Sequence, residues 1–192
     1  MRTFVPENVH SIPSAAKRAF KGVIYDVYQW EQELFDGSTT TFEMLNRPDT
    51  VITICVDKDS IVLVKDEQPH VGTRMGIPGG RADVPSEDEL AAAQRETIEE
   101  TGLTLADWRL VTVQQKHSKI DHLIYTFIAF DVTDETDIKP DAGEKIEVQR
   151  WSFDKFKKAA LAGELIDEIP EQVLECESIE ELRDITSLYD YS

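Results

Sequence analysis

Glu96, Glu99 and Glu100 are spaced by three and four residues, so in an α-helix their carboxylates fall within an arc of about 100° on one face. Ala92 and Ala93 occupy the same arc one turn earlier, with methyl groups too small to obstruct a ligand. Like charges this close repel, and two remedies are open. In one, the face is solvated and Arg95, four residues before Glu99, relieves part of the charge. In the other, a hard divalent cation, Mg²⁺ or Mn²⁺, sits among the oxygens and bridges them to phosphate. Gly76-Ile77-Pro78-Gly79-Gly80 lies just upstream, a side-chain-poor segment along which backbone groups can approach a phosphate or a metal closely.

The rest of the chain bounds what such a face could serve. Its 192 residues suit one domain of ordinary size with some excess, and a hydrophobic content of 41% is enough for a core. Lys plus Arg minus Asp plus Glu is 20 − 38 = −18, a field that disfavours duplex nucleic acid and anionic membranes. An acidic protein can still handle a phosphorylated small molecule when cations bridge the like charges. No stretch approaches the roughly 18 apolar residues of a membrane helix, and MRTFVPENVH lacks the apolar run of a secretory signal; the expected location is the cytoplasm. Cys55 and Cys176 make no disulfide framework, and Cys55, inside Val51-Ile52-Thr53-Ile54-Cys55-Val56, reads as a small core residue.

The carboxylate helix is expected over Leu90 to Thr101. Ser86-Glu87-Asp88-Glu89 has the form of a capping box, with Ser86 as the cap, and Gly102 is placed to end the helix in a left-handed conformation. Leu90, Ala91 and Ile98 are expected to pack on a sheet. Residues 1–19, with Pro6 and Pro13, read as an irregular arm. Val23 to Leu34 and Thr39 to Leu45, joined by Asp36-Gly37, read as a hairpin. Thr50 to Val56 and Ile61 to Val64 read as buried strands, Gly72 to Gly80 as a loop, and Arg109 to Gln115, Leu123 to Phe130 and Ile146 to Trp151 as further strands. Phe153 to Ala162 reads as a helix, and the acidic residues 171–192, after the break at Pro170, as a helical tail. This order predicts an α/β or α+β sandwich built on a mixed sheet, with an extension over 1–47 and a domain over 48–170.

Gly79-Gly80-Arg81-Ala82-Asp83-Val84-Pro85-Ser86-Glu87, followed by Arg95-Glu96-Thr97-Ile98-Glu99-Glu100-Thr101-Gly102-Leu103, resembles the signature of Nudix hydrolases. Two features depart from the family pattern: six residues rather than five separate Gly80 from Glu87, and Thr97 stands at the usual apolar position. The resemblance covers roughly residues 48 to 170, with Ala162 to Asp167 similar to the family's closing helix, and implies the α/β/α sandwich. It also implies Glu96 and Glu100 as principal ligands of Mg²⁺ (or Mn²⁺), Glu99 assisting, the Gly79 carbonyl completing the site, and Arg95 orienting Glu99. The reaction implied is attack of water on a nucleoside-linked pyrophosphate, with either a helical glutamate such as Glu96 or a loop glutamate as base; Glu144, between Pro140 and the strand ending at Trp151, is the loop candidate.

The hairpin at 20–47 resembles the extension of ADP-ribose and nucleoside-diphosphate-sugar pyrophosphatases, which implies a homodimer and such a substrate. Trp30 and Tyr28 can stack on a base or serve core or dimer packing. Arg74, Arg81, Lys116 and His117 can hold phosphate or ribose oxygens or be ordinary surface charges. Two other activities stay open from the sequence: a non-catalytic nucleotide sensor on the same fold, and a pyrophosphohydrolase of nucleoside triphosphates or capped RNA.

Overall fold

The computed structural model describes residues 2–140 and 142–191; Asp141, in the segment leading to Glu144, lies outside the described residues. The elements in chain order are β1 (Lys17–Lys21), β2 (Asp26–Glu33), β3 (Thr39–Asn46), β4 (Asp49–Asp57), β5 (Ser60–Gln68), β6 (Gly72–Gly76), β7 (Gly79–Ala82), α1 (Glu89–Thr101), β8 (Leu103–Gln114), β9 (Ile120–Asp121), β10 (Ile124–Glu135), β11 (Lys145–Ser152), α2 (Phe153–Leu161), α3 (Glu171–Glu175) and α4 (Ile179–Leu182).

The central sheet runs β11-β5-β4-β10-β8, with β4 and β10 parallel and the other neighbours antiparallel. Its strands alternate faces with a period of two. Ile52, Ile54 and Val56 of β4 join Ile128 and Phe130 of β10 on one side, under Phe153, Phe156, Val173 and Leu182 from α2 to α4. Val51, Tyr125 and Phe127 point the other way, under Ala92 and Ala93 of α1. The result is the α/β/α sandwich expected, with Cys55 fully buried in it.

β4 and β5 pair only beside their turn, at Cys55↔Val62, Val56↔Ile61 and Asp57↔Ser60. Beyond that they part: β5 takes β6 as partner from Val64 to Gln68, and β4 takes β7 from Asp49 to Ile52. The segment 72–80 is therefore two short strands rather than a loop, because the diverging backbones need partners that its own residues supply. This insertion carries Gly79 and Gly80 beneath α1. A Cβ on Gly79 would lie 2.3 Å from the Val51 carbonyl oxygen, so that position has no room for a side chain, and one on Gly80 would lie 2.4 Å from Glu96 Oε2 and displace that carboxylate.

α1 begins two residues later than a Ser86 cap implies. Asp88 is the N-cap, its side chain accepting from the Ala91 amide at 2.8 Å. Gly102 closes the helix at φ 75° as expected. The buried side of α1 carries Glu89, Ala92, Ala93, Thr97 and Glu100, whereas Leu90, Ala91 and Ile98 are only partly buried. The small-residue arc and part of the carboxylate face thus turn inward, which brings Glu100 to 9% exposure.

The N-terminal segment is also more regular than an arm and a hairpin. β1, β2 and β3 form an antiparallel sheet that is extended by β9, parallel to the end of β3. Arg2 pairs with Asp49 at 2.6 Å and Asp121 at 2.7 Å, and Tyr125 Oη donates to the Phe4 carbonyl at 2.8 Å, so residues 2–4 are tied across the core. Residues 162–167 turn rather than form a helix, seated on the β6 side: the Ile166 amide donates to the Met75 carbonyl and the Ile77 amide to Asp167 Oδ2, both at 2.9 Å. Of the acidic tail, only α3 and α4 are helical; beyond them Tyr189 packs on Phe4 and Tyr191 on Phe127.

Candidate active site

A cleft of about 710 Å³ opens between the N-terminal half of β7, the C-terminal half of α1 and the segment that enters β11. Glu96, Glu99 and Glu100 enter it from α1, Glu144 from the segment before β11, and Gly79 and Gly80 form part of its floor. Arg47, Arg74, Arg81 and Lys139 also line it, so carboxylates and cations occupy one enclosure, as a metal-bridged polyphosphate site requires.

Arg95 organises the helical carboxylates. Its Nη1 donates to Glu96 Oε1 at 2.8 Å and Glu99 Oε2 at 3.1 Å, its Nε to Glu87 at 3.1 Å, and its Nη2 to the Arg81 carbonyl at 3.0 Å. Burial would lower the Arg95 pKa, but Glu96 and Glu87 outweigh it and hold the guanidinium charged. Glu87, on the far side of the ideal wheel from Glu96, thereby anchors Arg95 from the loop before the helix. Arg95 reaches Glu99, as implied by the resemblance, and Glu96 as well.

Glu100 lies deepest. Its Oε2 accepts from the Gly79 amide at 2.8 Å, yet burial, reinforced by Glu96, Glu144 and Asp66, pushes its carboxyl up to about 8. Burial also raises Glu96, with Glu99 and Glu144 adding to it against the opposing pull of Arg95. A carboxylate cluster that is costly to ionise in a low-dielectric wall is one that an arriving cation would favour strongly. No three His, Cys, Asp or Glu side chains among the described residues converge on a single ion position; one carboxylate oxygen each of Glu96 and Glu99 is taken up by Arg95, and one of Glu100 by the Gly79 amide. The donor set nevertheless fits a hard divalent cation: carboxylate oxygens, no sulfur or imidazole, and a buried Asp66 Oδ1 with no hydrogen-bond partner beside them.

The segment after β10 is fastened to the end of α1 at two points. The Thr136 amide donates to the Gly102 carbonyl at 2.9 Å and the Lys139 amide to the Glu99 carbonyl at 2.7 Å, using helix-terminal acceptors that have no partner within the helix. A Cβ on Gly102 would lie 2.0 Å from the Thr136 carbonyl oxygen, so this docking also demands glycine. The fastening delivers Lys139 and, a few residues on, Glu144, whose Oε1 lies 3.4 Å from Gln68 Nε2.

Of the sequence-derived substrate residues, Arg74 and Arg81 line the cleft; Trp30, Tyr28, Lys116 and His117 do not. Trp30 packs on Phe42 across the β2–β3 ladder at 6.1 Å and donates to Gln32, and Tyr28 is paired in register with Met44. Lys116 pairs with Glu168, and it and His117 border a separate groove of about 880 Å³ along residues 41–45. Their placement follows from β9, which draws the 116–120 loop onto β3 and away from α1. The sequence reading missed Arg47, Thr50, Gln68 and Lys139 in the cleft lining, and Asp66, whose charge acts on Glu100. Asp66 had a visible signal, a charge at the end of an apolar strand, buried to 8% exposure beside Arg74 at 3.5 Å. Arg47 had none; its Nε is buried without a hydrogen-bond partner and its guanidinium lies over the Tyr25 ring.

Comparison with known proteins places this geometry. A family profile for the NUDIX domain matches residues 45–171. The chain is 27% identical over 157 residues to a protein of Bacillus subtilis (strain 168) named ADP-ribose pyrophosphatase, covering 80% of this chain and 84% of that one. Its fold is similar to a crystal structure described as an ADP compounds hydrolase, with a TM-score of 0.67 at 19% identity over 88% of this chain and 90% of that one.

Proposed function

The chain belongs to the Nudix hydrolase family, and from that premise we propose that it hydrolyses the pyrophosphate of ADP-ribose or a related nucleoside-diphosphate sugar, releasing a nucleoside monophosphate and a sugar phosphate. The observation that carries the reading is the meeting of Glu96, Glu99, Glu100 and Glu144 with Arg47, Arg74, Arg81 and Lys139 in one cleft over Gly79-Gly80. The similarity to an ADP-ribose pyrophosphatase over four-fifths of the chain supports the substrate class.

In this reading Glu96 and Glu100 hold Mg²⁺, or Mn²⁺, with Glu99 and the Gly79 backbone assisting. When bound, the cation neutralises diphosphate charge and makes water a better nucleophile. Arg95 keeps Glu96 and Glu99 in position. Arg47, Arg74 and Arg81 bind the diphosphate oxygens, for which a guanidinium is suited. A Glu144 carboxylate oxygen accepts the proton of the attacking water as the new P–O bond forms and the bridging P–O bond breaks, its electron pair leaving on the departing phosphate. The exposed Phe20 of β1 and Val23, Ile24 and Phe35 of the adjoining turns support a homodimer through that extension. No helix among the described residues is long and apolar enough to cross a membrane, and the proposed site of action is the cytoplasm.

The test is a panel of ADP-ribose, other nucleoside-diphosphate sugars, nucleoside triphosphates and capped RNA, incubated with Mg²⁺ and followed by phosphorus NMR. Turnover of ADP-ribose to AMP and ribose phosphate, abolished by chelator, is expected. Nucleotide binding without turnover under any divalent cation would replace the hydrolase with a sensor, and release of pyrophosphate or of an RNA 5′ end would replace the substrate class.

A further inference from the structure

Thr50 and His122 form a polar pair in the cleft wall that the proposed machinery leaves unused. Thr50 lines the cleft and sits opposite Arg81 in the β4–β7 ladder. His122 lies behind it, just before β10, and its Nε2 is 2.9 Å from Thr50 Oγ1. The pair is held from both sides, because the Thr50 amide donates to the Leu123 carbonyl at 2.9 Å and the Leu123 amide to Asp49 Oδ1 at 2.8 Å.

The charges around His122 decide its protonation. Burial, together with Arg47 and Arg2, drives the imidazole down to about 4 against the opposing pull of Asp49. It is therefore neutral at neutral pH and carries a single ring proton. If Thr50 meets the diphosphate that the neighbouring guanidiniums attract, only its O–H is useful, since phosphate oxygens at neutral pH are acceptors. Its hydroxyl oxygen is then free to accept from the ring, and the ring proton belongs on Nε2.

We propose that Thr50 contacts the substrate, donating its hydroxyl to an anionic oxygen of the diphosphate, and that His122 is the positioning residue whose Nε2–H turns that hydroxyl toward the cleft. This assignment rests on the pyrophosphatase reading above.

The experiment is steady-state kinetics on ADP-ribose with Mg²⁺, alongside nitrogen-15 NMR of the His122 ring. Thr50→Val removes a hydrogen bond to a charged group and is expected to raise KM by about tenfold or more while lowering kcat much less; Thr50→Ser recovers most of that loss. His122→Ala raises KM in the wild-type background but adds nothing in the Thr50→Val background, because it acts through that hydroxyl. His122→Gln, whose amide N–H reaches the Nε2 position, recovers most of what His122→Ala loses. The NMR spectrum shows the Nε2–H tautomer. Additive losses from the two sites, an Nδ1–H tautomer, or a Thr50→Val enzyme with the wild-type KM overturns the pairing while the hydrolase reading stands. A wild-type chain that cleaves no member of the panel overturns both.

Discussion

The two faces of the central sheet are covered by different chemistry. Under α2, α3 and α4, large apolar side chains interlock: Ile54, Ile61, Leu63, Phe130, Phe156 and Leu182 are all fully enclosed. Under α1 the large apolar side chains, Leu110, Leu123, Tyr125 and Phe127, come from the strands and their flanks, and the helix meets them with Ala92 and Ala93 beside Thr97 and the carboxylate of Glu100. Dispersion and dehydration stabilise the first face, whereas the second also takes in the desolvated carboxyl of Glu100. The contrast teaches that α1 brings small side chains to its interface while the sheet supplies the apolar bulk. Its small residues let it lie close to the sheet, and that closeness is what seats Glu100 against the Gly79 amide.

The comparison can be broken by making each face do the other's work. Phe156→Ala empties an enclosed site on the apolar face and should cost about 3–5 kcal/mol of stability, read by denaturant unfolding, with kcat per folded molecule retained. A loss of kcat out of proportion to the unfolded fraction would show that the two faces are coupled. Glu100→Gln is the reverse case. It should lower kcat at least a hundredfold, about 3 kcal/mol of transition-state stabilisation, without lowering the melting temperature of the metal-free protein, since one of several crowded charges is removed. Added Mg²⁺ should raise the melting temperature of the wild type more than that of the variant. A variant that unfolds easily instead would make Glu100 a structural residue.

A finer test lies at the β6 turn, where burial pushes Asp167 up to about 6, against the Ile77 amide and Arg74. The folded state then binds this proton more tightly than the unfolded chain, so stability from this group falls as pH rises through about 4 to 6 and stays reduced above. Asp167→Asn should remove that slope and gain about 1–2 kcal/mol over the wild type near pH 7, less than the full shift implies because water reaches part of the side chain. Parallel stability-versus-pH curves for the two proteins would show that Asp167 is not held back from ionising.

Much of α1 was legible before any coordinates. The three-and-four spacing of Glu96, Glu99 and Glu100 and the stop at Gly102 are short-range features, and short-range backbone geometry is the same whatever surrounds it. The cap was misread because Ser86 and Asp88 are both competent acceptors, and the choice between them depends on where β7 lets the chain enter the helix. The buried side was misread for a related reason. Leu90 does pack, partly buried, on the cluster of Tyr125 and Phe127, but the fully buried side of α1 carries Ala92, Ala93, Thr97 and Glu100, since a helix lying this close over Gly79 and Gly80 leaves little room between.

By itself the amino-acid order determined the strand-rich layout, the alternation that separates Ile52, Ile54 and Val56 from Val51 and Cys55, and the family signature around the carboxylate helix, since each is written in neighbouring residues. Only the tertiary structure decided that the segment 72–82 fills the gap between parting strands, that β9 draws Lys116 and His117 away from the cleft, and that Arg47, Thr50 and Gln68 join it. Those residues lie tens of positions from the carboxylate helix along the chain. What brings them together is the pairing of distant strands and the docking of loops on one helix end, and neither leaves a local mark in the sequence.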